Sequence, residues 1–315
     1  MPCSASDSRY SATRINLRTE RCAMANWLIG CGQITWPRDV SEEQVLADIA
    51  QAGYAGAPAF PKPATAVAER AALWQRYGLQ AAPGYFGADF WDVTKYDAIM
   101  AQAQSSAEFA RDIGCNACYV AANVEGQTIR NGRSRMQAAG HVTDADGMSD
   151  AEWRQFVRAI SDVGTIMKRY GVTAAFHNHV GSVIETRAEL DRLMQQTDPA
   201  VLALGPDTGH MAWAGGDVTD MVKTYASRIV TMHLKDVNAA AANQARAEQL
   251  DYRGAEKIGV WTELGQGMVD FPTIFGLLKA ANFDGWLIVE TDVTQLATPL
   301  ESAVQSRKYL KSLGM

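Results

Sequence analysis

A repeating unit constrains the fold of this chain more than any other property. From Trp27 onward, a short apolar run is followed by an amphipathic segment, then by a glycine, and then by the next apolar run. Because a glycine with positive φ commonly ends a helix, each such glycine predicts a boundary between a helix and the next strand. Four similar joins carry one, at Gly53, Gly78, Gly114 and Gly171.

The starts of three helices can also be recognised. A hydroxyl residue stands three positions before a Glu or Gln at Ser41–Gln44, Ser149–Glu152 and Thr186–Glu189. This spacing predicts a capping box, in which the two side chains satisfy free backbone donors of the first turn. Apolar residues at helical spacing follow each of the three.

Eight apolar runs of this pattern are predicted strands. They are Trp27–Gly32, Gly56–Phe60, Gln80–Tyr85, Ala117–Ala122, Thr173–His177, Val201–Gly205, Ile229–Leu234 and Trp286–Glu290. Most are short and apolar on both faces, which is typical of a parallel sheet. Eight strands alternating with helices over about 290 residues predict an α/β protein with one (β/α)8 TIM barrel. No G-x-G-x-x-G follows the first strand, so we expect no dinucleotide site.

Composition and charge limit the partners and the compartment. The chain has 29 Lys and Arg against 35 Asp and Glu, a formal charge of −6, which favours neither a nucleic acid nor a membrane surface as partner. No apolar run is long enough for a membrane span. Five cysteines, an odd and sparse number, are typical of a reducing cytosol, so we expect a cytoplasmic protein. The one C-x-x-C, Cys115 to Cys118, has no second pair and begins an apolar run, which predicts two buried thiols.

The first 25 residues differ from the rest. Ser, Thr and Arg dominate there, and no apolar periodicity is visible. A secretion signal needs an apolar central region, which this segment lacks. We therefore predict a poorly ordered extension over residues 1–25 and a catalytic barrel domain over residues 26–315.

Four of the five histidines stand at or just after the ends of predicted strands. In a TIM barrel all the carboxyl ends of the strands meet at one rim, which is where such enzymes place their active sites. Polar groups that follow buried strands need partners, because burying them unpaired costs a few kcal/mol. The side chains brought to this rim are His177, His179, His210 and His233, with Asp207, Lys235, Asp236, Glu290 and Asp292 beside them.

Three of these residues form a mixed nitrogen and oxygen set on adjacent strands, namely Asp207, His233 and Glu290. Such a set suits Mn²⁺, Co²⁺, Zn²⁺ or Fe²⁺ better than Ca²⁺. Simpler explanations remain open for single members, since Asp207 could cap a helix and His233 could be a core histidine. His177, His179 or Glu185 could complete the metal shell.

Other candidates lie nearby in the sequence. Trp36, Trp213 and Trp261 stand near strand ends and could stack on an apolar face of a small-molecule ligand, although each could equally belong to the core. Two long loops, over residues 123–148 and 237–267, follow strand ends on the same rim. Loops of this length in a compact domain are usually lids or binding loops.

Several motifs in this order resemble the xylose-isomerase-like TIM-barrel family, which includes sugar-phosphate isomerases, ketose 3-epimerases and inosose dehydratases. The family motifs are Asp207-Thr-Gly-His210, His233-Leu-Lys-Asp236, Gly265-Gln-Gly267-Met-Val-Asp270-Phe271 and Trp286-Leu-Ile-Val-Glu290. Three further stretches look most like the inosose dehydratases: His177-Asn-His179-Val-Gly, Ala214-Gly-Gly-Asp217 and Gly259-Val-Trp261-Thr262.

This resemblance implies a divalent metal held by an acid on the fifth strand, Asp on the sixth, His on the seventh and Glu on the eighth. The last three correspond to Asp207, His233 and Glu290, with Mn²⁺ or Co²⁺ expected first and Zn²⁺, Fe²⁺ or Mg²⁺ as alternatives. On the fifth strand, many members have Glu-Asn-His where this chain has His177-Asn178-His179. Because ketose epimerases use a pair of metal-bound Glu, this departure favours a dehydratase over an epimerase.

The resemblance and the residues together predict a lyase that dehydrates a 2-keto cyclitol of the inosose type, or a related keto-sugar, through an enediolate. His177, His179 and Glu290 would be catalytic, and His210 and Lys235 would hold substrate hydroxyls or protonate a departing one. The alternative is a ketose or sugar-phosphate isomerase or epimerase with the same metal site. A metal-dependent endonuclease and a non-catalytic barrel are further alternatives, the first disfavoured by the small number of basic residues. A homodimer or homotetramer is compatible with such a barrel.

Overall fold

The computed structural model describes residues 27–62 and 65–315. The predicted extension over residues 1–25 lies outside the described residues, so that prediction stays open. The strands are β1 (Leu28–Cys31), β2 (Gly56–Pro58), β3 (Gln80–Ala82), β4 (Tyr85–Ala88), β5 (Ala117–Ala122), β6 (Thr173–Phe176), β7 (Ala203–Leu204), β8 (Thr231–Leu234), β9 (Asp236–Val237), β10 (Trp261–Thr262) and β11 (Trp286–Val289).

Helices follow the strands and pack around them. They are α1 (Glu42–Ala52), α2 (Val67–Arg76), α3 (Tyr96–Ile113), α4 (Asp150–Arg169), α5 (Arg187–Gln196), α6 (Thr208–Trp213), α7 (Val218–Tyr225), α8 (Ala239–Ala247), α9 (Tyr252–Lys257), α10 (Phe271–Ala280) and α11 (Pro299–Ser312). Short 3-10 turns lie at Val93–Lys95, Asp144–Asp146 and Ala226–Arg228.

All the wall strands are parallel, and together they close a single barrel. One run of neighbours is β3-β2-β1-β11-β8, and the other is β4-β5-β6-β7. The two runs join between β7 and β8, where Val230 N donates to Leu204 O at 3.1 Å and His233 N donates to Pro206 O at 2.9 Å. The predicted (β/α)8 TIM barrel is therefore confirmed.

The third predicted strand, Gln80–Tyr85, is divided in two. β3 pairs with β2, and β4 pairs with β5, with Pro83 and Gly84 between them. Pro83 has no backbone N–H to give to a ladder, so regular pairing stops there. A Cβ on Gly84 would lie 2.5 Å from Ala59 O, which makes glycine necessary at this close approach. The sequence pattern showed the strand but not this break.

The predicted helix boundaries are largely observed. Gly53, Gly78, Gly114 and Gly171 have φ of 87°, 68°, 90° and 74°, in the left-handed region that favours glycine. Reciprocal capping boxes begin α4 and α5, as predicted. At Ser41 only half of the box forms, because the side chain of Gln44 donates to Asp48 instead. Cys115 and Cys118 are buried free thiols at the start of β5, which agrees with their prediction.

Three arginines order the first long loop, and two of them, Arg130 and Arg135, tie it to helices α4 and α5. Arg130 pairs with Glu125 and Glu152, Arg133 with Asp146 at 2.7 Å, and Arg135 with Glu189 at 2.9 Å. Arg135 is buried and also donates to Ser182 O, so this loop is anchored through several polar contacts.

The second long loop contains structure of its own, namely α8, α9 and an antiparallel pair of β9 with β10. Asp236 fixes its far end by accepting hydrogen bonds from the backbone N–H groups of Gly265, Gly267 and Val269. Tyr252 N donates to Met136 O at 2.9 Å, which joins the two long loops. Among the described residues, no helix combines the length and the apolar character needed to cross a membrane.

Candidate active site

The three predicted metal ligands meet at the carboxyl ends of neighbouring strands. Asp207 follows β7, His233 lies in β8 and Glu290 follows β11, and their ligand atoms lie within 4.8 Å of one another. His233 Nδ1 is 3.2 Å from Glu290 Oε2 and 3.7 Å from Asp207 Oδ2. The parallel pairing of β8 with β11 sets His233 beside Ile288, two residues before Glu290, so His233 and Glu290 face the same side of the sheet and converge.

Asp207 combines two roles. It is the N-cap of α6, where Oδ1 accepts a hydrogen bond from His210 N at 2.8 Å. Its other oxygen, Oδ2, faces the cluster. Asn178 holds the Asp207 backbone from the side, since Asp207 N donates to Asn178 Oδ1 at 3.0 Å and Asn178 Nδ2 donates to Asp207 O at 3.3 Å. The helix-cap explanation and the ligand explanation are therefore compatible.

Space for Glu290 depends on a glycine after β1. A Cβ at Gly32 would lie 2.2 Å from Glu290 Oε1 and 2.6 Å from its Cγ. No real Cβ makes such contacts, so Gly32 is what allows the carboxylate to lie over the end of the barrel.

Lys235 lies in the middle of the acidic groups and is itself buried, with a side chain 2% exposed. Its Nζ is 2.6 Å from Asp292 Oδ1, 3.3 Å from Glu290 Oε2 and 3.4 Å from Asp207 Oδ2. The Trp261 ring covers it, with its centroid 5.0 Å from Nζ, a distance typical of a cation–π contact.

The electrostatics favour charged forms of these groups. Burial alone would raise the pKa of Asp207 and Glu290, but the nearby Lys235 and His233 outweigh it and lower both to about 2. Burial would lower the pKa of His233, but Glu290 and Asp207 raise it to about 9. Burial likewise opposes the charge on Lys235, and the three carboxylates raise its pKa well above the ordinary value. Without a metal, His233 is thus protonated at neutral pH.

The cluster fits a divalent ion. Asp207 Oδ2 and His233 Nδ1 are buried, yet neither forms a hydrogen bond with any of the described residues. Both atoms have only ion-pair contacts with charged neighbours, and buried polar atoms without a hydrogen bond are rare in folded proteins, so a bound ion is one explanation for them. One imidazole and two carboxylates suit Mn²⁺, Co²⁺, Zn²⁺ or Fe²⁺.

Three more histidines adjoin this cluster. His177 groups with Asp207 and His210, and His179 groups with His210 and Asp292, each set within 4.8 Å. The pKa of all three imidazoles is lowered, first by burial and then by neighbouring positive groups, so they are neutral at pH 7. His179 Nδ1 lies 2.7 Å from Val180 O, which can only accept, so Nδ1 carries the proton and Nε2 is the acceptor. Within residues 27–62 and 65–315, His177 Nδ1 has no hydrogen-bond partner.

Glu185 is not brought to the metal group. Both of its oxygens are used by backbone donors, Gly140 N at 2.8 Å and Gly181 N at 2.7 Å, and it belongs to none of the candidate metal groups found in the described part of the chain. Burial raises its pKa to about 7. The turn before α5 directs this side chain toward the first long loop, so its interpretation as a metal ligand is corrected to that of a loop anchor.

The three candidate stacking tryptophans are interior residues. Trp36, Trp213 and Trp261 are 6%, 0% and 1% exposed. Trp36 donates from Nε1 to Asp48 at 2.9 Å, toward α1. Trp261 packs edge-on against His210 and Trp213, with centroids 5.0 and 5.2 Å apart. Trp261 thus borders the site through His210 and Lys235, and the stacking role of the three tryptophans stays a prediction.

Some residues of the site had no role assigned from sequence. Asp292 stands two residues after Glu290, so the strand alternation predicts that both point inward. The sequence did not predict its contact with Lys235. Tyr119 lies with its ring 4.1 Å from that of His233 and its hydroxyl 2.7 Å from Thr231. Tyr252, from the second long loop, donates to Asp292 Oδ2 at 3.3 Å. The sequence placed this loop on the same rim but did not show which of its residues reaches the site.

Comparisons with known proteins agree with the motif resemblance. A family model described as xylose isomerase-like TIM barrel matches residues 46–313. An inosose dehydratase from Geobacillus kaustophilus (strain HTA426) is 30% identical over 297 residues, covering 90% of this chain and 94% of that protein. A solved structure of L-ribulose 3-epimerase has a TM-score of 0.67 at 18% identity, covering 91% of this chain and 94% of its own. A structure of the IOLI protein with a bound zinc atom has a TM-score of 0.64 at 15% identity, covering 90% and 96%.

Proposed function

This chain belongs to the xylose isomerase-like TIM-barrel family, and we propose that it is a metal-dependent lyase that removes water from a 2-keto cyclitol of the inosose type. The protein is a sugar-modifying enzyme, and its 30% identical relative over most of the chain is an inosose dehydratase. A related keto-sugar fits the same chemistry.

The observation that carries the proposal is the convergence of Asp207, His233 and Glu290, whose ligand atoms lie within 4.8 Å of one another. Two of these atoms, Asp207 Oδ2 and His233 Nδ1, are buried without hydrogen bonds to described residues. These three residues would hold the ion, and His177, which groups with Asp207, is the fourth candidate. His177 stands where many family members have Glu, so a second neutral imidazole would replace a carboxylate in the shell.

A divalent ion bound there would act as a Lewis acid that polarises a substrate carbonyl and favours loss of the proton on the adjacent carbon. His179 is the residue best placed to accept that proton. Its Nδ1 proton is committed to Val180 O, so Nε2 is the basic atom, and the side chain is only partly buried. Burial lowers its pKa, which keeps the imidazole neutral and able to accept a proton at working pH.

Lys235 and His210 would act on the substrate oxygens. Lys235 Nζ lies 3.3 Å from His210 Nε2, and both side chains are buried beside the cluster. The ammonium would transfer a proton to the departing hydroxyl, which leaves as water while the C–O bond breaks. Lys235 would then regain a proton from solvent, and His179 would release to solvent the proton that it took from carbon. The neighbouring carboxylates keep Lys235 charged for this role.

The test compares metal-free and metal-loaded protein on a 2-keto cyclitol. Protein stripped with a chelator should produce no conjugated enone, which is detected by its ultraviolet absorbance, and Mn²⁺ or Co²⁺ should restore the product. Full turnover by the stripped protein would contradict the proposal.

The same experiment in D₂O separates dehydration from isomerisation. Dehydration yields the enone and releases water. Deuterium entering recovered or rearranged substrate, with no enone, would instead identify the alternative isomerase or epimerase, in which the proton returns to carbon.

A further inference from the structure

Lys235 and the proposed metal ion would use the same oxygens. Lys235 Nζ contacts Asp207 Oδ2 at 3.4 Å and Glu290 Oε2 at 3.3 Å. These are the two carboxylate atoms that face His233 Nδ1. An ammonium at that distance repels a metal ion and contacts the same carboxylate oxygens. The ion can therefore bind all of its ligands only if the ammonium has another partner.

Asp292 is that partner. Its Oδ1 makes the shortest of the three contacts with Lys235 Nζ, 2.6 Å. Asp292 is outside the group formed by Asp207, His233 and Glu290. Its carboxylate therefore stays available to Lys235 when the other two bind an ion.

The surroundings hold this pair in place. Tyr252 donates to Asp292 Oδ2 at 3.3 Å, so each oxygen of Asp292 has one partner. The Tyr252 ring stacks on His179 at an interplanar angle of 10° and packs on Trp213. On the other side, a Cβ at Gly209 would lie 2.8 Å from Lys235 Cβ, so the lysine stem is confined. Lys235 can shift its ammonium among the carboxylates but cannot leave the site.

We propose that Asp292 is a positioning residue that draws the Lys235 ammonium away from Asp207 and Glu290, so that one metal ion and one ammonium share the site. This inference rests on the proposed metal site. It explains how a buried lysine and a cation occupy one acidic cluster: the three carboxylates divide into two for the ion and one for the ammonium. Lys235 then remains beside the ion to contact substrate oxygens.

A double-mutant cycle in metal affinity tests the proposal. Mn²⁺ binding to the full-length, chelator-stripped protein is measured by calorimetry for the unmodified chain, Asp292→Asn, Lys235→Met and the double variant. Asp292→Asn should weaken Mn²⁺ binding about tenfold, because the ammonium returns to the metal-binding oxygens. In the Lys235→Met background the same change should alter binding by less than about threefold. Asp89→Asn, which removes a rim acid paired with Lys95, is the matched control and should leave affinity unchanged.

Equal weakening by Asp292→Asn with and without Lys235 would overturn the inference, since it would show only a general loss of negative charge, while the proposed metal site would stand. Failure of the unmodified protein to bind Mn²⁺ would overturn both. If Lys235→Met does not fold, as judged by circular dichroism, Tyr252→Phe and Lys235→Gln serve in the same cycle. Tyr252→Phe removes the hydroxyl on Asp292 and should weaken Mn²⁺ binding only when Lys235 is present.

Discussion

The two ends of the barrel interior are built from the same strands but are stabilised by different interactions. Inward-facing residues alternate along β11, so Trp286 and Ile288 point inside at one end and Glu290 at the other. The apolar end extends to Ile288, which pairs with His233 in the ladder and packs with Ala82, Tyr119 and the partly buried Trp286. At the carboxyl end, the same inward direction carries carboxylates, imidazoles and an ammonium.

This difference shows which interactions depend on pH and on bound metal. Burial of apolar surface does not itself depend on pH, and burial raises the pKa of Tyr119, the ionisable residue of this group, well above its usual value near 10. The polar end is stable only while each charge has its opposite, since an unpaired buried charge is strongly destabilising. The apolar end thus contributes to the free energy of unfolding at every pH. The polar end carries the proposed reactive groups, and its interactions depend on pH and on bound metal.

The largest effect is expected for Glu290→Gln at the polar end. It removes a proposed ligand, so turnover should fall at least about 1000-fold, roughly 4 kcal/mol, while the protein stays folded. Steady-state kinetics and thermal melting of the same preparation measure both quantities. Comparable turnover in this variant would show that Glu290 is not part of the working site.

At the apolar end, Ile288→Ala should have the opposite profile. The side chain is fully buried, so its truncation should lower the free energy of unfolding by about 3 kcal/mol and leave Mn²⁺ affinity unchanged. Urea denaturation at two pH values provides the measurement. A loss of unfolding free energy that differs between the two pH values would contradict the proposed division between the two ends.

The pH dependence of the metal-free protein gives the next effect. His233 has a pKa near 9 in the folded chain against an ordinary value of 6.5, so its contribution is present below pH 6.5 and lost as pH rises to about 9. The shift corresponds to up to about 3 kcal/mol of unfolding free energy. Relative to the unmodified protein, His233→Gln should flatten stability across this range. An identical slope in both proteins would refute the assignment to His233.

The smallest effect is expected at the boundary of the two ends, where the Tyr119 hydroxyl lies 2.7 Å from that of Thr231. Tyr119→Phe keeps the ring and loses one buried hydrogen bond, so we expect a loss of about 1 kcal/mol in stability. Turnover should change little, since the hydroxyl faces Thr231 and not the cluster. A loss of stability as large as that of Ile288→Ala would mean that the boundary between the apolar and the polar end does not lie at Tyr119.

The repeat of strand, helix and glycine was enough to predict the barrel, because each unit follows local rules of capping and periodicity. The convergence of Asp207, His233 and Glu290 was predictable for the same reason, since parallel strands bring their carboxyl ends to one rim. The break at Pro83 and Gly84 was not, because it depends on how closely Ala59 approaches the neighbouring strand.

Residues outside the strands were harder to place. Glu185 is close in sequence to the site histidines, yet a turn directs it to the amides of Gly140 and Gly181. Trp261 and Tyr252 belong to the second long loop, and their contacts with Trp213 and Asp292 form only when this loop folds onto the barrel. Such contacts join residues far apart in the chain, so no local sequence pattern predicts them.

The most direct test of the central claim is a crystal structure of the protein soaked with Mn²⁺, with anomalous data to locate the ion. We predict one anomalous peak in contact with Asp207 Oδ2, His233 Nδ1 and Glu290 Oε2, with Lys235 beside Asp292. A peak elsewhere, or none at saturating Mn²⁺, would contradict the shared metal site.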